Sequence, residues 1–141
     1  MILPLLLGLT LTSPDVKTGA QISSKFVWNQ DGCNGQNREP QLTWGGVPAG
    51  THSFDISVID HDAPKPGGWL HMHYGEIAGT ARGTGHRAQR ARTYFNDFHY
   101  LGWGGPCPPP GRLHHYTFTL RALDARDRVL ATATMIPVYR R

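Results

Sequence analysis

Eight histidines in 141 residues are the natural place to look for chemistry. The useful ones sit in three short stretches: "VIDHDAP" (58–64), "WLHMH" (69–73) and "LHHY" (113–116). In a strand, residues two apart share a face. That spacing puts His71 with His73, and His114 with Tyr116, while His115 points the other way. Zinc is one use for such a set. Two histidines with Asp60 or His114 supply three ligands and leave one position open. His-x-His alone is a thin signal and there is no His-Glu-x-x-His, so no metal is assigned. Nucleophilic catalysis is a second use. No Gly-x-Ser-x-Gly elbow is present, and Cys107 is hemmed in by prolines, so no nucleophile is assigned. Anion binding is the third. His71, His114 and the Tyr116 hydroxyl can each donate a hydrogen bond. Glycine-rich turns let backbone N–H groups near Gly105 and Gly111 approach an oxyanion. Asp60 would oppose an anion by charge, so its role is to hold one imidazole in a fixed tautomer. Two imidazoles beside a dianion should be partly protonated, making binding tighter at pH 6 than at pH 8. The same residues also read as strand-end groups that satisfy loop backbone, and spacing does not separate the two readings.

The elements that must position these groups are strands. "SFDISVID" alternates, with Phe54, Ile56 and Val58 on one face and Asp60 continuing it. "HHYTFTLRAL" puts Tyr116, Phe118, Leu120 and Ala122 on one side. "WLHMHYGEI", "LGLTLTS" and "LATATMIPV" add three more strands, and Pro137 suits an edge. Turn clusters lie at 29–38, 45–50, 63–68 and 102–112. No stretch of helical length keeps a period of 3.6. Just before "LHHY" comes "GGPCPPPG", a loop stiffened by prolines and able to serve as a fixed wall. These features predict one all-β sandwich or barrel.

Composition agrees with a single domain. Charged residues make up 17% of the chain, and Gly 17 with Pro 11 call for many turns rather than long helices. Net charge is +4. Arg82, Arg87, Arg90 and Arg92 crowd into 82–92, but no aromatic residue interleaves them. That stretch reads as a solvated loop, and nucleic acid is not expected as a partner. Residues 1–8 form an apolar leader, a possible signal-peptide remnant too short to span a membrane, and 9–141 form the domain. Cys33 and Cys107 each sit in a glycine-rich turn, and their count alone allows one disulfide or two free thiols. No motif asks for a cofactor.

Four segments together resemble the phosphatidylethanolamine-binding proteins, also called Raf-kinase-inhibitor-like proteins, in their bacterial YbhB/YbcL-type branch. They are "LTLTSPDVKTGAQI", "GCNGQNREPQLTWGGVPAGTHSF", "DHDAPKPGGWLHM" and "GGPCPPPGRLHHYTFTLRALD". The resemblance implies a Greek-key β-sandwich with few or no peripheral helices. It implies a small-anion pocket made by Asp60, Asp62, Pro64, His71, Pro108, Gly111, His114 and Tyr116, and a phosphorylated head group as ligand. It implies a Cys33–Cys107 disulfide, hence a periplasmic or secreted protein, the cytoplasm being the alternative. Eukaryotic members regulate kinases or inhibit proteases, so a protein partner is conceivable, though such roles need not transfer. Three departures stand out. His61 replaces the central proline of Asp-Pro-Asp-Ala-Pro, the 78–95 connection is short and basic, and the helical stretch that relatives carry after "RALD" is missing. An opened rim leaves room for an alternative function, acid–base cyclisation or isomerisation by the same Asp60, His71, His114 and Tyr116.

Overall fold

The computed structural model describes residues 8–85 and 92–141, so most of the leader (1–7) and the basic stretch from 86 to 91 lie outside the described residues. Within it the strands are β1 (Thr10–Thr12), β2 (Thr43–Gly45), β3 (Ser53–Asp60), β4 (Trp69–Ala78), β5 (Arg92–Thr93), β6 (His114–Leu123), β7 (Val129–Met135) and β8 (Val138–Tyr139). The only helical element among the described residues is a 3-10 turn at Ser24–Phe26, capped by Ser23.

Strand order in the large sheet is β5-β4-β3-β6-β7, and β8 pairs with the start of β6. β3, β4 and β5 follow one another across the sheet, and β6 returns to lie beside β3, which is a Greek key. Its core face follows the period-two alternation: Phe54, Ile56 and Val58 from β3 meet Tyr116, Phe118, Leu120 and Ala122 from β6, all fully buried. β1 and β2 form a second, two-stranded layer. Leu11 and Trp44 from that layer enter the same core, with the Trp44 ring 5.3 Å from Phe54. The molecule is therefore an all-β sandwich. β6 passes directly into β7 through a tight turn. Asp124 holds that turn by accepting bonds from the backbone N–H groups of Arg126 and Arg128 and from the Arg128 guanidinium.

One strand departs from plain alternation. Val58 pairs with Met72 but Ile59 pairs with Leu70, so β4 carries one residue more than β3 at that point. The extra residue is His71, a β-bulge. His71 and Met72 both turn into the core, at 2% and 1% exposure. His73 goes to the opposite face, where its Nε2 meets Asp55 at 2.8 Å and its ring stacks on Tyr94. The expectation that His71 and His73 share a face is thus wrong, and a zinc pair built on it loses its geometry.

Cys33 and Cys107 form a disulfide, with Cα atoms 5.8 Å apart across a sequence separation of 74. It joins the 29–38 turn to the proline-rich loop, and hydrogen bonds reinforce the seam. Trp28 N–H donates to Pro106 O at 3.1 Å, and Gly105 N–H donates to Asn37 Oδ1 at 2.7 Å. The approach is so close that a Cβ on residue 105 would stand 2.0 Å from Phe26 O, which only glycine permits.

Candidate ligand-binding site

Asp60 pairs directly with Tyr116 in the β3–β6 ladder, so the end of β3 and the start of β6 meet on one core face. The strand face that carries apolar residues deeper in the sheet here carries Asp60, His114 and Tyr116, each at most 3% exposed. The β4 bulge swings His71 toward them, and Trp69, opposite Asp60, joins the same side. Phe98 closes the set from the 94–101 hairpin. It stacks on Trp28 at 4.0 Å and meets the edges of Trp69 and His71. The result is a mostly apolar cavity of about 260 Å³.

Of the residues named from sequence, Asp60, Pro64, His71, Pro108, His114 and Tyr116 line this cavity. Asp62 does not. Its Oδ2 accepts from the His115 backbone N–H and ring, both at 2.8 Å, which ties it to the other face of β6. Partial burial raises the Asp62 carboxyl, but the His115 hydrogen bonds and the His115 and Arg112 charges outweigh that and hold it below its usual value. Gly111 is not among the lining residues either. Its N–H is directed at Arg141 O (3.4 Å), and the Gly105 N–H is committed to Asn37. The expected oxyanion donors at Gly105 and Gly111 are therefore already engaged. Sequence reasoning missed Asp31, Trp69 and Phe98. Trp69 could have been found only by placing the bulge. Phe98 lies in a hairpin ordered by the buried Asn96 side chain, which accepts from the Phe98 and Tyr100 N–H groups.

Hydrogen bonds fix both imidazoles. His114 Nδ1 lies 2.6 Å from Asp60 Oδ2, whose other oxygen accepts the Asp62 N–H at 2.9 Å. Asp60 thus orients a histidine, as its charge suggested. His71 Nδ1 lies 2.6 Å from Gly104 O, an atom that only accepts, so Nδ1 carries the proton. Each ring leaves Nε2 as its uncommitted nitrogen. Burial lowers the His71 pKa to about 4, despite the opposing pull of the Gly104 carbonyl and of Asp60. His71 is therefore neutral from pH 6 to pH 8, against the expectation that both rings are partly charged there. Burial, with the Asp60 carboxylate next, pushes the Tyr116 phenol far above its ordinary value, so it stays an O–H donor. Among the described residues two buried donors, the Trp69 indole N–H and the Tyr116 hydroxyl, have no protein partner at ordinary hydrogen-bond distance, and the Tyr116 hydroxyl interacts with the Asp60 carboxylate at longer range. Both belong to residues of the cavity wall. Buried polar groups are nearly always paired, so two donors without a close protein partner in one small cavity are placed to meet an incoming polar group. Lys65, at the rim, is no free cation, because its ammonium sits 2.7 Å from Asp97.

Comparison with known proteins agrees with this architecture. The family model described as phosphatidylethanolamine-binding protein matches residues 12–138. The UPF0098 protein YbcL of Escherichia coli strain K12 is 42% identical, over 92% of this chain and 86% of its own length. YbhB of the same organism is 37% identical, over 81% and 77%. The crystal structure of Escherichia coli YbcL, described as a new member of the mammalian PEBP family, superposes with a TM-score of 0.86 at 34% identity, covering 96% of this chain and 99% of that one. The chain therefore belongs to the phosphatidylethanolamine-binding protein family.

Proposed function

We propose that this protein binds a small oxyanion, carried on a phosphorylated head group, in the cavity between Asp60, His71, Trp69, His114 and Tyr116. The observation that carries the reading is the pair of orphaned donors, Trp69 N–H and Tyr116 O–H, in an apolar-walled cavity beside two oriented imidazoles. Such donors are free to bond a ligand oxygen that enters the cavity. Apolar walls strengthen each bond by excluding water. Membership of the phosphatidylethanolamine-binding family supports the choice of a phosphorylated ligand. The Cys33–Cys107 disulfide supports a working location in an oxidising compartment, periplasmic or extracellular. Calorimetric titration with inorganic phosphate and with phosphorylethanolamine is the test. His114→Ala should weaken binding by about 1.5–3 kcal/mol, the range for a hydrogen bond to a charged group. Equal affinity in the two proteins would remove the reading. The His114–Asp60 pair also supports a second reading, general acid–base catalysis on a small molecule, because a carboxylate-backed imidazole is suited to moving a proton. A turnover assay in which His114→Ala loses activity would favour it over simple binding.

A further inference from the structure

We propose that the 94–101 hairpin docks this protein on a phospholipid bilayer, with Phe95, Tyr100 and Leu101 seated among the lipid head groups. This deepens the head-group reading, and it rests on that reading for the choice of a phospholipid as partner. Five large hydrophobic side chains are exposed among the described residues, and three of them are in this one hairpin: Phe95 at 65%, Leu101 at 59% and Tyr100 at 51%. Scattered apolar residues are ordinary on a protein surface, but a cluster marks a place of interaction. Phe95 and Leu101 are antiparallel bridge partners, so their side chains stand side by side. Tyr100 comes next, its ring meeting the edge of Trp28 at 5.6 Å. The backbone here also suits a water-poor surface. Asn96 N–H donates to Tyr100 O, Asp97 N–H to Leu70 O and His99 N–H to Asn96 O, while the Phe98 and Tyr100 N–H groups donate to the Asn96 side chain. The Asn96 amide in turn donates to Gly102 O at 3.0 Å. Five consecutive N–H groups are thus paired inside the protein, and such a loop loses little when water leaves it. Charge fits as well. Asp97 is the one carboxylate between 94 and 101, and the Lys65 ammonium 2.7 Å away neutralises it. Arg92 leads into the hairpin with its guanidinium 4.9 Å from the Tyr94 ring, and the chain carries a net charge of +4. Tyrosine and arginine are residue types that favour the interface of an anionic membrane. The hairpin is also part of the cavity, because Phe98 forms one of its walls. Docking therefore brings the cavity to the head groups it is read as binding. A second copy of this chain is the rival occupant. Three side chains are a small part of the ~800 Å² per partner that a stable interface buries, whereas reversible membrane binding combines a modest apolar area with attraction to anionic lipid.

The test is co-sedimentation of the oxidised full chain with vesicles of phosphatidylcholine and phosphatidylethanolamine, with and without phosphatidylglycerol. The double variant Phe95→Ser, Leu101→Ser changes only exposed side chains, and circular dichroism checks that it keeps its β signature. Wild type should partition onto the vesicles, more strongly with phosphatidylglycerol present, and the double variant should partition at least about tenfold less. Phe95→Trp, which keeps an aromatic ring favoured at lipid interfaces, should partition at least as well as wild type. Calorimetric affinity for free phosphorylethanolamine should stay within about twofold in the double variant, because neither substituted residue lines the cavity. Equal partitioning of wild type and double variant, or none by wild type, would overturn the inference, as would loss of binding in Phe95→Trp. So would a wild-type dimer that the double variant separates into monomers by analytical ultracentrifugation, which would assign the patch to a second copy. Hairpin-dependent vesicle binding with no binding of phosphorylethanolamine by either protein would support the docking and overturn the head-group reading instead.

Discussion

Tyr116 is a group whose polarity works against folding. Its hydroxyl is buried beside the Asp60 carboxylate with no protein partner at ordinary hydrogen-bond distance, and a buried donor left so poorly paired costs about 1–3 kcal/mol. Tyr116→Phe should therefore leave the free protein as stable as wild type or more so, by up to about 1 kcal/mol, while weakening phosphate binding. Urea midpoints and calorimetric titrations check the two halves separately. A less stable variant with unchanged binding would show that the hydroxyl serves the fold. His71 gives a prediction in pH. Its folded pKa, about 4, lies below the ordinary 6.5, so between those values the unfolded chain binds a proton that the folded chain does not. Stability from this group is full above pH 6.5 and falls as pH drops toward 4, by on the order of 3 kcal/mol. Unfolding of wild type and His71→Leu at pH 7 and pH 4.5 should show a smaller loss in the variant. Alternation put His114 and Tyr116 on one face, the family resemblance added Asp60, and the β3–β6 register brings the three together. The charge state of His71 was not legible, since it depends on burial by Phe98 and Trp103, residues distant in sequence.

Segments that look alike in sequence differ in how well they could be read. β3 and β6 run at Ser53–Asp60 and His114–Leu123, bounds that their alternation and flanking turns already mark. β4 was placed correctly as a strand, but its two faces were not, because a bulge is a property of a strand pair. Only the register against β3 shows that His71 is supernumerary. The 104–111 loop was visible as stiff. What holds it, the seam against residues 26–37, needs the tertiary structure. Gly105 is the tightest point of that seam, so Gly105→Ala should cost about 3 kcal/mol, at the upper end for overpacking. Thermal or urea unfolding measures this directly. A loss below about 0.5 kcal/mol would mean that the backbone at Phe26 yields easily.

Across the molecule, one covalent bond ties two turns that are 74 residues apart. In the chain-entropy account such a bond adds roughly 4 kcal/mol by restricting the unfolded chain. The double variant Cys33→Ser, Cys107→Ser should lose stability of that order, read from urea midpoints. Protein isolated without reductant should take up no alkylating reagent under denaturing, non-reducing conditions; two labelled cysteines by intact mass would contradict the bond. The Greek-key order suits this arrangement, since it brings the ends of β3, β4 and β6 together at the edge of one core. His71 is one of two residues of β4 that are surplus to its pairing with β3. Take His71 away and Trp69 still faces Asp60, Leu70 still faces Ile59, and Met72 still faces Val58. The ladder would close over the gap without a defect, so a single-codon deletion could erase His71 and spare the sheet. What would vanish is the reciprocal pair of bonds in which the His71 ring donates to the Gly104 carbonyl and the Gly104 N–H donates back to the His71 carbonyl. A lineage could thus remove one wall of the cavity in one genetic step and keep the architecture, which makes that codon the place to look when a descendant keeps the fold with an altered cavity.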